Sequence, residues 1–119
     1  MVGIQLLLLI LKIMINNLKI ESNTANISDI SYSVYLLNKL IGSFNISSKH
    51  PQYLTDLFID REYRRKGIAR YLLNKFKIAK LRCTTWNEVG ISFYTSLGFI
   101  RDETQSDIYV ITFVRKLDV

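Results

Sequence analysis

One cysteine in 119 residues, Cys83, rules out an internal disulfide, and a single histidine beside it leaves no plausible ligand set for zinc. No metal and a reduced, cytoplasmic setting are the expectation. Proline is as scarce. Its only copy, Pro51, sits in the polar stretch "SSKHPQ", which reads as a loop, and no proline-rich linker, internal repeat or low-complexity tract breaks the chain. A single domain over residues 1–119 is expected, since a 49% hydrophobic content can support a core without cross-links.

Long apolar runs are missing too. The opening "MVGIQLLLLILKIMINNLKI" is interrupted at Lys12, short of the roughly 20 residues that a membrane-spanning helix needs. No basic segment precedes it and no small-residue cleavage site follows, so a signal peptide is not expected either. A buried helix, or a contact with another chain such as a homodimer partner, is the expectation for this segment.

Positive charge is plentiful, with a formal net charge of +6. Nucleic acid, anionic lipid and phosphorylated cofactors all suit that sign, so placement must choose among them. "SYSVYLL" and "LIGSFNI" flank Asn38-Lys39 as the arms of a β-hairpin, with Gly42 marking a bulge, and "YLTDLFID" is a third β-rich run. That third run ends at the basic cluster "REYRRKGIARYLL". From Ile68 the rhythm turns helical, with Ala69, Leu72, Leu73, Phe76 and Ala79 on one face. "LRCTTW" reads as a strand. Asn87 is then a good N-cap for a second helix with Glu88 in its first turn, and Gly98 is a natural stop with Phe99 folding back. "FIRDE" and "IYVITFVRK" close the chain as two antiparallel strands. The order of elements predicts a mixed α/β (α+β) fold, one mostly antiparallel sheet flanked by helices.

A strand entering a helix through Gly67 gathers free backbone N–H groups and the positive end of a helix dipole at one point. Phosphate binds at such points. Gly67 accepts backbone angles closed to other residues, Ala69 permits close approach, and Arg64, Arg65 and Lys66 add charge. A duplex-binding surface would spread its charges along a face, and no aromatic stacking motif or helix-turn-helix pair is present. Nucleic acid is therefore not the expected partner. Aspartate is unfavourable inside a strand, so Asp56 asks for a reason: a base or amine-binding role, or an edge position that reaches water. Cys83 has no base beside it in sequence and reads as a small buried residue.

Arg64-x-x-Gly67-x-Ala69 resembles the Arg/Gln-x-x-Gly-x-Gly/Ala signature of the GNAT superfamily of acetyl-CoA-dependent N-acetyltransferases. "WNEVGISFYTSLGF", Trp86 to Phe99, is similar to that superfamily's second signature, and the two occur in the family's order. The resemblance implies acetyl-CoA as cosubstrate, its pantetheine arm lying between "YLTDLFID" and "LRCTTW". On this likeness the backbone of Leu57, Phe58 and Ile59 holds the thioester and arm, while Arg64, Arg65, Lys66, Gly67, Ile68, Ala69 and Arg70 surround the pyrophosphate. Asn87 hydrogen-bonds the arm, Tyr94 protonates the departing sulfur, and Asp56 is the candidate base. It further implies direct transfer to a primary amine, a small polyamine-like molecule ahead of a protein lysine or N-terminus. Among branches, the motifs look most like the diamine and polyamine acetyltransferases, although Thr55 stands where that branch commonly has glutamate. The core of the likeness runs from residue 31 to 119, whereas residues 1–30 read as an atypical helix and loop in place of the family's usual opening. A basic nucleic-acid module and a silent acetyl-CoA binder are the alternative readings.

Overall fold

Residues 2–23 and 28–117 are described by the computed structural model. Helix α1 (Val2–Asn16) is followed by β1 (Leu18–Ser22), β2 (Asp29–Leu36), β3 (Lys39–Ser47) and β4 (Tyr53–Ile59). After a one-turn 3-10 helix at Arg61–Tyr63 come α2 (Ile68–Lys75), β5 (Lys80–Thr84), α3 (Glu88–Ser96) and β6 (Ile100–Arg101). A second 3-10 turn, Glu103–Gln105, leads into β7 (Val110–Val114). All seven strands form one sheet in the order β1-β2-β3-β4-β5-β7-β6, antiparallel except where β4 meets β5.

The expected hairpin is present, shifted by one residue. Its turn is Leu37-Asn38, both at positive φ (50° and 68°), the two-residue geometry whose twist matches that of the flanking strands. Gly42 does lie at a bulge: β2 and β3 slip register between Val34 and Tyr35, with Ile41 the extra residue. A Cβ on Gly42 would come within 2.5 Å of the Phe58 carbonyl oxygen, so glycine lets β3 and β4 approach here.

Both parallel crossovers, β4-α2-β5 and β5-α3-β6, step the same way across the sheet, so a common right hand puts both helices on one face. Packing agrees with this. Phe76 at the end of α2 lies 4.9 Å from Phe44, which in turn stacks on Tyr32 at 4.8 Å, while Tyr94 of α3 meets Phe99 and Phe113 at 6.1 Å. Register pairs Phe44 with Leu57, and Leu54 with Leu81 and so with Phe113, which puts these residues on that same face. With Ile68, Leu72 and Leu73 of α2 they form the core.

The two helices end alike. In α3, Gly98 at φ 90° lets Phe99 N–H reach the Tyr94 carbonyl and Gly98 N–H the Thr95 carbonyl, the paired bonds of a Schellman stop. In α2 the same pair runs from Ile78 to Leu73 and from Lys77 to Asn74, with Lys77 at φ 52° in the glycine role. The helix therefore ends before Ala79. Arg115 joins both ends, since its Nε, Nη1 and Nη2 donate to the carbonyls of Ile78, Leu97 and Leu73 at 2.8, 3.3 and 3.1 Å. Its guanidinium also sits 4.5 Å from the Phe99 ring centre.

The opening segment departs from expectation in two ways. Leu18–Ser22 is a strand, paired antiparallel with β2, where only helix and loop were anticipated. Helix α1 is not buried within the chain: Met14 near its end packs against the core, and Ile4, Leu6, Leu7, Leu8, Leu9, Ile10 and Ile13 are about half exposed.

Candidate acetyl-transfer site

The sheet splits between β4 and β5. These strands share only two register pairs, Tyr53 with Lys80 and Leu54 with Leu81, and then part. A bulge in β4 explains the separation, because Thr55 is an extra residue against β3 between Leu54 and Asp56, and bulges bend and twist the strand that carries them. Meanwhile β4 keeps pairing with β3 up to Ile59, and β5 keeps pairing with β7 along its whole length. Each half of the sheet stays intact. The facing edges, Thr55 to Ile59 and Arg82 to Thr84, are left without a strand partner, so Leu57, Phe58 and Ile59 form one rim of a slit.

At the mouth of that slit the chain turns into α2. Arg65 (φ 60°) and Gly67 (φ 83°) both take left-handed backbone, and no side chain caps the helix. The first helical bond is Tyr71 N–H to the Gly67 carbonyl at 3.0 Å, so the amides of Ile68, Ala69 and Arg70 precede the ladder. Nothing lies within 4 Å of where a Gly67 Cβ would stand. Arg65, Gly67 and Arg70 are exposed, Lys66 and Ala69 half-buried, and Ile68 is buried, offering its amide alone. Arg64 is engaged differently. Its Nε donates to the Ile59 carbonyl at 2.7 Å and its guanidinium lies 5.4 Å from the Phe58 ring centre, bracing the end of β4.

Across the slit stands Tyr94, half-buried against Phe93, Phe99 and Phe113. Burial pushes its phenol above the ordinary range, and the nearby Cys83 and Asp56 push the same way. A protonated phenol is the consequence. Asn87 caps α3 as anticipated, with Oδ1 accepting from Gly90 N–H at 2.9 Å, while the nearby Cys83 thiol donates to the Thr84 carbonyl at 3.6 Å. Burial raises that thiol, so it too stays neutral. Asp56 comes to this cluster from the other side. Register places it opposite Asn45, on the face that α2 and α3 leave open, exposed to solvent. The slit thus brings together a half-buried phenol on one face of the sheet and a carboxylate on the other.

Cys83 is buried, as its reading as a small packing residue expects, and one neighbour of this cluster escaped the sequence reading. Gly90 gave no signal, yet a Cβ there would meet Asn87 Nδ2 at 2.5 Å and displace the capping side chain. Among the described residues, no group of His, Cys, Asp and Glu could hold a metal, and no helix is long and apolar enough to cross a membrane.

No curated protein matches the chain in sequence. Solved structures do share its fold. A GNAT family acetyltransferase from Elizabethkingia anophelis with acetyl-CoA bound superposes with a TM-score of 0.64 at 14% identity, covering 86% of this chain and 99% of that one. The ribosomal-protein-S18-alanine N-acetyltransferase from Escherichia coli gives a TM-score of 0.58 at 15% identity over 85% and 96% of the two chains. A Bacillus subtilis acetyltransferase in complex with CoA gives 0.59 at 13% identity over 84% and 99%. In sequence, residues 29–101 match the Acetyltransferase (GNAT) domain family. That is more than half of the chain, and it carries both the turn into α2 and the Asn87–Tyr94 segment: this protein belongs to the GNAT acetyltransferase domain family.

Proposed function

We propose that this chain transfers acetyl from acetyl-CoA to a primary amine. One observation carries the reading: an uncapped helix start opens beside a slit that has a half-buried phenol on one side and a carboxylate on the other. The fit is good on this chain's own terms. Free amides at residues 68–70 with the charges of Arg65, Lys66 and Arg70 suit a diphosphate, and unpaired strand edges suit an extended amide-bearing arm. Structures of this fold from other organisms hold acetyl-CoA or CoA, which supports the same choice.

Acetyl-CoA would supply an acyl thioester, and the remaining work falls to the chain. An alkyl amine with a pKa near 10 is unprotonated only about one part in a thousand at pH 7, so it must lose a proton before it attacks. Asp56 is the group that accepts that proton, directly or through water. Backbone N–H groups of the β4 edge at Leu57 to Ile59 polarise a carbonyl lying in the slit. Tyr94 Oη holds a proton for the leaving sulfur, and its raised pKa keeps that proton in place at neutral pH. Asn87 has its Oδ1 occupied in capping, leaving Nδ2 to bond the arm. A single cysteine, unable to form an internal disulfide, fits a reducing, cytoplasmic compartment.

Thermal unfolding is the test. Acetyl-CoA at 100 times its dissociation constant should stabilise the native state by about 2.7 kcal/mol, an upward Tm shift on the order of 10 °C. No shift at millimolar acetyl-CoA would refute the reading. Self-association through α1 belongs to the same proposal. Seven leucines and isoleucines about half exposed on a 15-residue helix are stable only when covered, and at about 22 Å the helix cannot span a bilayer. Light scattering should give twice the chain mass; a monomer at all concentrations would remove this part.

A further inference from the structure

The sheet face that α2 and α3 leave uncovered is polar in register. Two rows of side chains cross it beside the slit, Ser31, Asn45 and Asp56 on β2, β3 and β4, and Glu21, Ser33, Ser43 and Phe58 on β1 to β4, flanked by the shorter rows of Asp29 with Ser47 and of Lys19 with Tyr35 and Leu40. In the two rows beside the slit Glu21, Ser43, Asp56 and Phe58 are exposed, and Ser31, Ser33 and Asn45 are half-buried. Among the described residues no α-helix lies over these rows; the 3-10 turn at Glu103–Gln105 covers only the β7 side, where Gln105 accepts from buried Thr112. The slit opens onto this floor beside Asp56.

A free polyamine is poorly served here. Small ligands are held in pockets that bury most of their surface, and each ammonium wants a carboxylate. Here the floor is open. Asp56 is the carboxylate at the slit, Asp29 lies two strands away and is itself engaged, Glu21 lies three strands away and is paired with Lys19 at 2.8 Å, and across the slit the same face carries exposed Arg82. A cavity of about 320 Å³ does exist, but it lies at the far ends of α2 and α3, where Lys77, Arg115 and Lys116 line it and repel cations.

An extended polypeptide meets the opposite conditions. Hydroxyls and a carboxamide spaced along adjacent strands can donate to and accept from peptide groups, and Phe58 gives an apolar contact beside the slit. One carboxylate suffices for one ammonium. Binding energy gathered along the rows is then available to hold the amine at Asp56, which a short amine cannot draw upon. We propose that the acceptor is the primary amine of a polypeptide, laid across the serine and asparagine rows with its ammonium at Asp56. This rests on the acetyl-transfer reading above and narrows it to one substrate class.

The test follows CoA release by the full chain with acetyl-CoA and three acceptor sets: putrescine, spermidine and spermine; short lysine-containing peptides with free N-termini; and the same peptides with blocked N-termini. Peptides should exceed polyamines in kcat/KM by about 100-fold, and the blocked set separates N-terminal from lysine acetylation. Ser43→Trp, which puts bulk on the floor at a position that tolerates it, should raise the peptide KM about tenfold while the acetyl-CoA thermal shift is retained. Polyamines equal to or better than peptides, or an unchanged peptide KM in Ser43→Trp, would overturn the inference while transfer to amines stands. Loss of the thermal shift in the native chain would instead bring down the acetyl-transfer reading and this inference with it.

Discussion

Under α2 and α3 the sheet presents Phe44, Ile46, Leu54, Leu81, Ile111 and Phe113, all buried, whereas its opposite face presents Ser31, Ser33, Ser43, Asn45, Asp56, Phe58 and Arg82. Alternation with period two writes both faces into one stretch of sequence. The covered face holds the fold together and carries Tyr94; the open face carries Asp56 and contributes little to the core. Only at the slit do the two meet, because the Thr55 bulge parts β4 from β5 and lets groups from both faces approach one point. What differs between the faces is therefore what a mutation should cost, stability on one and substrate handling on the other.

The largest effect should fall on the covered face. Phe44 touches Tyr32 and Phe76 in an aromatic cluster and is 2% exposed, so Phe44→Ala should cost about 3–5 kcal/mol in urea unfolding. Tyr94→Phe keeps the packing and removes the acid. It should lower kcat about 100-fold, equivalent to about 2.7 kcal/mol, with the acetyl-CoA thermal shift unchanged. Wild-type rate should rise with pH as the amine loses its proton, with no falling limb from Tyr94 below its ordinary range near 10, because burial moves the phenol upward and its acid form stays fully populated below that. A falling limb near pH 8 would contradict the assignment.

Arg115→Met should cost about 2 kcal/mol. Three carbonyls at the helix ends lose their charged donor, although some of them can turn to water. Smallest of all should be Ser33→Ala on the open face, within about 0.5 kcal/mol in stability. If this serine proved as costly as Phe44, the contrast between the faces would fail.

Much of the covered half was legible because its signals are local. Asn87 as a cap, Gly98 as a stop and Gly67 as a left-handed entry into a helix each depend on a few neighbouring residues, and each appears where the sequence put it. Helix α2 ran short because Lys77 takes a left-handed conformation usually left to glycine, so that buried Ile78 can close the turn. The hairpin moved by one residue because Leu37 does the same. Strand β1 was missed since five residues after an apolar helix carry too short a pattern, and only pairing with β2 makes them a strand. Nor could the sequence reveal Arg115, whose three partners lie 18 to 42 residues away. For the site, the residue types were readable, but the approach of Asp56 and Tyr94 from opposite faces depends on the bulge at Thr55, which has no composition signal.

Crystals grown with CoA bear most directly on the central claim. Electron density for the diphosphate against the amides of residues 68–70, with the pantetheine between β4 and β5 and its sulfur near Tyr94, is the predicted result. CoA seated elsewhere, or a slit closed by the chain's own side chains in its presence, would contradict the account.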